Sequence, residues 1–307
     1  MKKNRFFIFI VTLASLAVAG CNKVSIKPPN DFKVTTRAVI YTTQDTVTFN
    51  LAGNPDYITF YSGELHKNYA FANIKQRTPD SNLVTFSTTT TTPGTSTQAT
   101  TDNNVTILAS TDFSGSIDSP SIKKATWTDI SGRARFATGA STVASGNVNI
   151  TDITQKGKPV YIAFKYVSAG ATATYLPRKE VVNSFTFRNF FPDTTYIQVN
   201  SFSNGGFYIK SILNNANQWI MTNASLTFNA PAVGSAPDED WAISRPFDPT
   251  IVSPDVGIAI KTKTDPLGLY SYKFTKPGTY VVTFVATNSD SATTRQTVRQ
   301  ITLTITN

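Results

Sequence analysis

Beyond residue 21 no stretch of this chain sustains a helical repeat over three turns, whereas period-two alternation recurs to the last residues. Thr46-Val47-Thr48-Phe49-Asn50-Leu51 puts Val47, Phe49 and Leu51 on one face of a strand. Gly53-Asn54-Pro55-Asp56 turns the chain, and Tyr57 to Tyr61 alternates again before Ser62-Gly63. Near the other end, Tyr270 to Phe274 alternates, Lys276-Pro277-Gly278 turns, and Tyr280, Val282, Phe284 and Ala286 share a face. Between them lie further strand-like runs at 105–112, 125–130, 184–187, 207–209 and 225–228. Val160 to Tyr166 is almost continuously apolar, the pattern of a strand buried on both faces. Hydrophobic residues at 40% supply a core, and charged residues are few at 15%. Abundant Thr, Ser and Asn suit polar outer faces of strands better than surface helices. The Thr-rich segment 87–101 offers nothing apolar to bury beyond an alanine and reads as a loop or frayed strand end. The expected fold class is all-β.

The segment Phe274 to Asn288 resembles the closing strands of PKD-type immunoglobulin-like domains, whose early and late strands normally lie within about a hundred residues of each other. Here the early strands (38–61) and the late ones (270–306) stand some two hundred residues apart. A sandwich built from 31–71 plus 263–307, interrupted by an inserted domain at 72–262, accounts for that gap. Closing a long insert costs little extra entropy, because the cost grows only logarithmically with length.

The N-terminus carries its own message. Met1-Lys2-Lys3-Asn4-Arg5 is charged, Phe6 to Val18 is apolar, and Val18-Ala19-Gly20-Cys21 follows. This is the layout of a secretory signal, and its last residues resemble a bacterial lipobox. The expectation is a signal at 1–20, an acylated Cys21 and a tether at 21–30. Such a chain is anchored to the membrane by lipid in the cell envelope, at the outer membrane. The apolar run is too short to span a bilayer. Cleavage near Ala19, leaving a free thiol, is the alternative. Asn22 and Lys23 leave the export face open. Cys21 is the only cysteine, so its acylation excludes disulfides, cysteine metal sites and thiol catalysis. The formal charge of +9 falls to about +6 once Lys2, Lys3 and Arg5 leave. That excess favours anionic surfaces such as lipopolysaccharide or acidic glycans. No Lys/Arg run interleaved with aromatics points to nucleic acid.

For chemistry, exclusions come first. His66 is the sole histidine, which rules out HExxH and multi-histidine zinc sites. There is no G-x-S-x-G elbow. Glycoside hydrolysis needs a facing carboxylate pair, and the acidic residues are scattered. Asp238-Glu239-Asp240 is the one acidic cluster and reads as a solvated loop. A structural calcium is the only cofactor in view, with Asp112 and Asp118 flanking Gly115 as candidate ligands; ordinary turn aspartates are the alternative. For sugar binding, aromatic faces beside amides are the relevant pattern. Trp219 follows Asn214-Asn215-Ala216-Asn217-Gln218, Trp241 follows the acidic cluster, and Tyr175 ends a loop of small residues. Trp127, in an alternating run, reads as core. Asp45-Thr46-Val47, Asp193-Thr194-Thr195 and Asp290-Ser291-Ala292 resemble the O-glycosylation sequon of exported Bacteroidetes proteins.

The inner phrases Ser110 to Gly115, Ala125 to Ser131 and Gly157 to Tyr166 join the outer phrases Ile58 to Glu64 and Gly278 to Asn288. Together they resemble the Bacteroidetes lipoprotein family carrying domain of unknown function 5017. The resemblance implies an immunoglobulin/PKD-like sandwich interrupted by a jelly-roll β-sandwich of galactose-binding-like shape. It brings no established activity; relatives sit near polysaccharide-uptake systems. The reading is a non-catalytic glycan-binding lipoprotein, with a polysaccharide or an outer-membrane protein as partner. A structural or adhesive lipoprotein is the second reading, and a carboxylate-pair hydrolase the third.

Overall fold

The computed structural model describes residues 26–94, 103–266 and 268–307; the signal expected at 1–20 and Cys21 lie outside them. The fold is all-β and divides into two compact units. One runs to Tyr69 and resumes at Val256–Asn307; the other is Ala70–Asp255.

The first unit begins with β1 (Lys33–Thr36), β2 (Ile40–Thr42), β3 (Val47–Ala52) and β4 (Tyr57–Tyr61). The second unit supplies β5 (Ser81–Thr91), β6 (Val105–Ser110), β7 (Thr128–Asp129), β8 (Val143–Ala144), β9 (Val148–Asn149) and β10 (Tyr161–Ser168). It continues with β11 (Lys179–Phe190), β12 (Thr195–Val199), β13 (Tyr208–Leu213), β14 (Ile220–Met221), β15 (Leu226–Phe228) and β16 (Asp238–Ile243). The first unit then closes with β17 (Ile258–Lys261), β18 (Leu269–Tyr272), β19 (Gly278–Ser289) and β20 (Thr294–Thr306).

In the first unit a sheet of order β1-β3-β18 faces one of order β17-β4-β19-β20-β2. Pairing is antiparallel except between β2 and β20. The alternation read at 46–51 puts Val47, Phe49 and Leu51 inside. Phe49, Phe60 and Phe284 meet there with ring centroids 5.1–5.9 Å apart. Burying each such ring contributes roughly 1.5–3 kcal/mol. Asp290 sets the β19–β20 turn by accepting the Ala292 and Thr293 amides at 2.9 and 2.7 Å. One boundary moves relative to the sequence reading. Residues 258–261, read as part of the insert, pair with β4 through Ile258↔Phe60 and belong to the first unit. That pairing is between distant segments and leaves no local mark.

In the second unit a five-stranded sheet, β13-β16-β10-β6-β7, faces a larger one of order β14-β15-β11-β5-β8, with β12 on β11 and β9 on β5. Phe164, Phe185, Phe187, Phe207 and Phe247 fill the space between them, all at most 4% exposed. The apolar run at 160–166 is β10, the middle strand of the five. Ile162, Phe164 and Tyr166 face the opposite sheet. Tyr161 and Ala163 pack outward under Phe113 and Ile122, the latter on a short helix, Ser119–Lys124.

One sequence reading is sharpened here and another overturned. The Thr-rich stretch 87–101, read as a loop or frayed strand end, starts as the end of β5, where Thr88 and Thr90 are 4% and 2% exposed; its residues 95–101 lie outside the described ones. Thr88 Oγ1 accepts the Ala137 amide at 2.8 Å, and the Thr90 hydroxyl donates to the Lys179 carbonyl at 3.1 Å. Buried hydroxyls with partners replace the apolar residues the pattern lacked. Asp238-Glu239-Asp240 is not a solvated loop. It opens β16, hydrogen-bonded on both sides by β10 and β13.

Candidate functional site

Strand direction gathers loops at one end of the second unit. β10 ends at Ser168, β13 ends at Leu213 and β16 starts at Asp238. The connections 169–178, 214–219 and 229–237 therefore share that end. They are tied together by backbone: Ala171 N donates to the Ser235 carbonyl at 3.0 Å, and Gly234 N to the Ala171 carbonyl at 2.9 Å. Gly170 lets them approach. Its φ is +100°, and a Cβ there would stand 2.8 Å from the Ser235 carbonyl oxygen, so no other residue fits without movement.

Tyr175 caps the first of these loops. Its amide donates to Thr172 Oγ1 at 3.0 Å, and its carbonyl accepts the Thr172 amide at 2.8 Å. The ring is partly exposed. In the second loop Asn214 takes a left-handed backbone, φ 58°. The Asn214 and Asn217 side-chain amides donate to Asp238 Oδ2 at 3.3 and 3.4 Å. Asn215 and Gln218 of the same loop are exposed.

Trp219 is brought to this end but not as a ligand platform. It is 3% exposed. The segment 214–219 crosses from the five-stranded sheet to the seven-stranded one, and that crossing turns the ring inward. Its edge meets Tyr166 at 6.2 Å and Phe228 at 5.5 Å, and its Nε1 donates to the Asp240 carbonyl at 3.3 Å. Trp241 lies on the other face of the five-stranded sheet and is 6% exposed. It packs 5.2 Å from Trp127, donates to Glu239 Oε1 at 2.9 Å, and has Lys165 Nζ 5.1 Å from its ring. Neither indole offers an open face. Of the three aromatic candidates only Tyr175 reaches the surface, and that only in part.

Asp112 and Asp118 serve local structure. Asp112 Oδ1 accepts the Ser110 hydroxyl and the Thr126 amide, each at 2.8 Å. Asp118 caps the helix Ser119–Lys124, accepting the Ser121 amide at 2.8 Å and its hydroxyl at 3.0 Å. No group of three or more His, Cys, Asp or Glu side chains suited to a metal occurs among the described residues. His66 is exposed on a loop of the first unit.

The sequence reading missed what lies beneath the amide loop. Asp238 and Asp240 point the same way from β16, into the space between the sheets, and are 1% and 0% exposed. Asp240 stands opposite Tyr166 on one side and Ser211 on the other. Glu180, 4% exposed, enters from β11, with Arg178 close by. Burial, reinforced by the Asp238 carboxylate, pushes the Asp240 carboxyl up to about 9. Burial pushes Glu180 up to about 7 against the pull of Thr90 and Arg178. The same desolvation, with Glu180 second, raises the Tyr166 hydroxyl far above its usual range. The available signal was the spacing Asp238-x-Asp240-x-Ala242, which puts both carboxyls on the inner face of any strand.

At the opposite end of the unit lies an open pocket of about 350 Å³, lined by Gln76, Gly157, Lys158, Pro159, Pro246, Phe247 and Asp248. Gln76 Nε2 donates to Asp248 Oδ2 at 2.7 Å, and Thr250 donates twice to Asp248 Oδ1, so that carboxylate is already engaged.

A family model described as domain of unknown function (DUF5017) matches residues 20–207, more than half of the chain. The chain belongs to this family. The DUF5017 segment contains Ser168, Tyr175 and Glu180; Trp219, Trp241 and the Asp238–Asp240 pair lie C-terminal to it. No curated protein and no solved structure matches the chain.

Proposed function

We propose that this DUF5017 protein is a lipid-anchored lipoprotein of the outer membrane whose 70–255 unit binds glycans without catalysis. In this reading the unit is a galactose-binding-like jelly-roll, and the first unit a PKD/immunoglobulin-like sandwich that follows the tether at Cys21. The observation that carries the proposal is the loop end itself. A partly exposed Tyr175 ring and the exposed amides of Asn215 and Gln218 share one end of the sandwich, on loops pinned by Asp238 and Gly170. A flat ring covers a sugar's apolar face at low entropic cost, and amides both donate to and accept from hydroxyls. A pinned loop also loses less freedom on binding. The carboxylates of Asp238 and Asp240 are sealed from solvent, where no glycosidic bond can reach them, which supports binding over hydrolysis.

A glycan array followed by affinity gel electrophoresis of the full chain tests this. The expected result is retardation by one class of polysaccharide, weakened at least about tenfold, or 1.4 kcal/mol, in Tyr175→Ala. Gln218→Ala is expected to weaken it less. Folded protein that no polysaccharide retards overturns the proposal, as does wild-type retardation in both variants. The pocket at Gln76 and Lys158 is the internal control: Lys158→Ala is expected to bind like wild type.

A further inference from the structure

Four side chains at the loop end of the 70–255 unit carry oxygens that are shut off from solvent and have no donor at close hydrogen-bonding geometry, with Ser211 beside Asp240, Thr90 beside Glu180 and Tyr166 beside Ser168. The oxygens are Asp238 Oδ1, both carboxylate oxygens of Asp240, Glu180 Oε1 and the Ser168 hydroxyl. All four residues are more than nine-tenths buried. Ser168 is neutral and arrives from another strand. It stands directly across the β10–β16 ladder from Asp238, on the same inner face as Tyr166. Facing Cβ atoms in such a pair are about 4.5–5.5 Å apart. An unpaired buried carboxylate costs several kcal/mol, so each is neutralised by a proton, a basic side chain or a cation, and a cation bound here would displace the proton that Asp240 otherwise holds. Arg178, itself fully buried, lies next to Glu180. Three carboxylates against one guanidinium leave two negative charges if all are ionised.

The donor set is oxygen only, which selects a hard cation. Two carboxylates and a hydroxyl do not form a rigid octahedron, and calcium tolerates irregular shells completed by neutral oxygens and water better than magnesium does. Neutral oxygens are at hand. The Asn214 and Asn217 amides make only long contacts to Asp238, 3.3 and 3.4 Å, and turning either over presents a carbonyl oxygen instead. We propose that Asp238 and Asp240, with the Ser168 hydroxyl, hold one calcium ion beneath the amide loop. This inference stands apart from the glycan reading and survives or fails without it.

The test uses the full chain stripped with EDTA, with Tb³⁺ and Ca²⁺ as probes. Trp219 and Tyr166 border the site, so Tb³⁺ bound there emits on excitation of the protein's aromatic rings. The expected result is one Tb³⁺ per chain, displaced by Ca²⁺, and an unfolding midpoint that rises with Ca²⁺ and saturates. Asp240→Asn is expected to weaken Ca²⁺ at least tenfold. Ser168→Ala, a smaller change, keeps the test open should the first variant fold poorly, and is expected to weaken it severalfold. Asp112→Asn is expected to respond like wild type. Absence of both emission and midpoint shift in folded wild type overturns the proposal. So does a response that persists in Asp240→Asn and Ser168→Ala, or one that disappears in Asp112→Asn.

Discussion

Replacing Asp240 by Asn gives the sharpest check on the buried acidic group. In metal-free protein the native state holds a proton on Asp240 up to about pH 9, because burial and the Asp238 carboxylate oppose its charge. The unfolded chain releases that proton near pH 4. Below pH 4 both states hold it and it adds no slope. Above pH 4 the unfolded state binds one proton fewer, so stability falls as pH rises, by about 1.4 kcal/mol per unit. From pH 6 to pH 8 the loss is about 2.7 kcal/mol. For a unit of this size that corresponds to roughly 5–10 °C in midpoint. Asn cannot ionise and its amide can donate to Asp238, so the variant loses this part of the slope. The decline due to Glu180 remains in both proteins and ends near pH 7. Besides Asp238, the groups at Asp240 are Tyr166 and Ser211 across the ladders, the Trp219 ring on its carbonyl and the charge of Glu239, which Trp241 and Lys165 help hold below the usual carboxylate range; none of these four gains or loses charge between pH 6 and 8. Tryptophan fluorescence is the right assay, because Trp127, Trp219 and Trp241 all lie in the 70–255 unit and report it alone. Unfolding midpoints are measured from pH 6 to 8 in EDTA. Parallel curves for wild type and Asp240→Asn would refute the reasoning.

Three further outcomes follow from the same structure. Trp219→Ala is expected to destabilise the 70–255 unit by about 3–5 kcal/mol in denaturant titrations, as a buried core ring should; a loss under 1 kcal/mol means the ring is not core. Asp118→Ala removes a helix cap and is expected to cost about 1 kcal/mol with no change in Ca²⁺ response, read by the same titration. Cys21→Ser is expected to abolish incorporation of labelled fatty acid and release the chain from membranes; retained label would contradict the lipobox reading.

The all-β class was legible because alternation is local: Val47, Phe49 and Leu51 announce their shared face within six residues. The double burial of β10 was legible for the same reason, as a run without polar interruptions. The Thr-rich strand was not, since Thr88 and Thr90 are satisfied by Ala137 and Lys179, residues about 50 and 90 positions away. Tyr175 was visible as a loop tip. The tryptophans misled, because an amide-rich neighbourhood is the same whether the ring turns outward or in. Trp219 turns in only because its loop crosses between sheets.

By itself the sequence determined the strand-forming character of the chain and the chemistry its single Cys and single His rule out. These follow from residue type and spacing over a few positions. The tertiary structure alone decided that Asp238 and Asp240 are buried rather than solvated. It also set Ser168 opposite them and the Asn214–Gln218 loop above them. Those relations join residues from 21 positions apart, Asn217 and Asp238, to about 70, Ser168 and Asp238, and burial depends on which distant strands lie on either side.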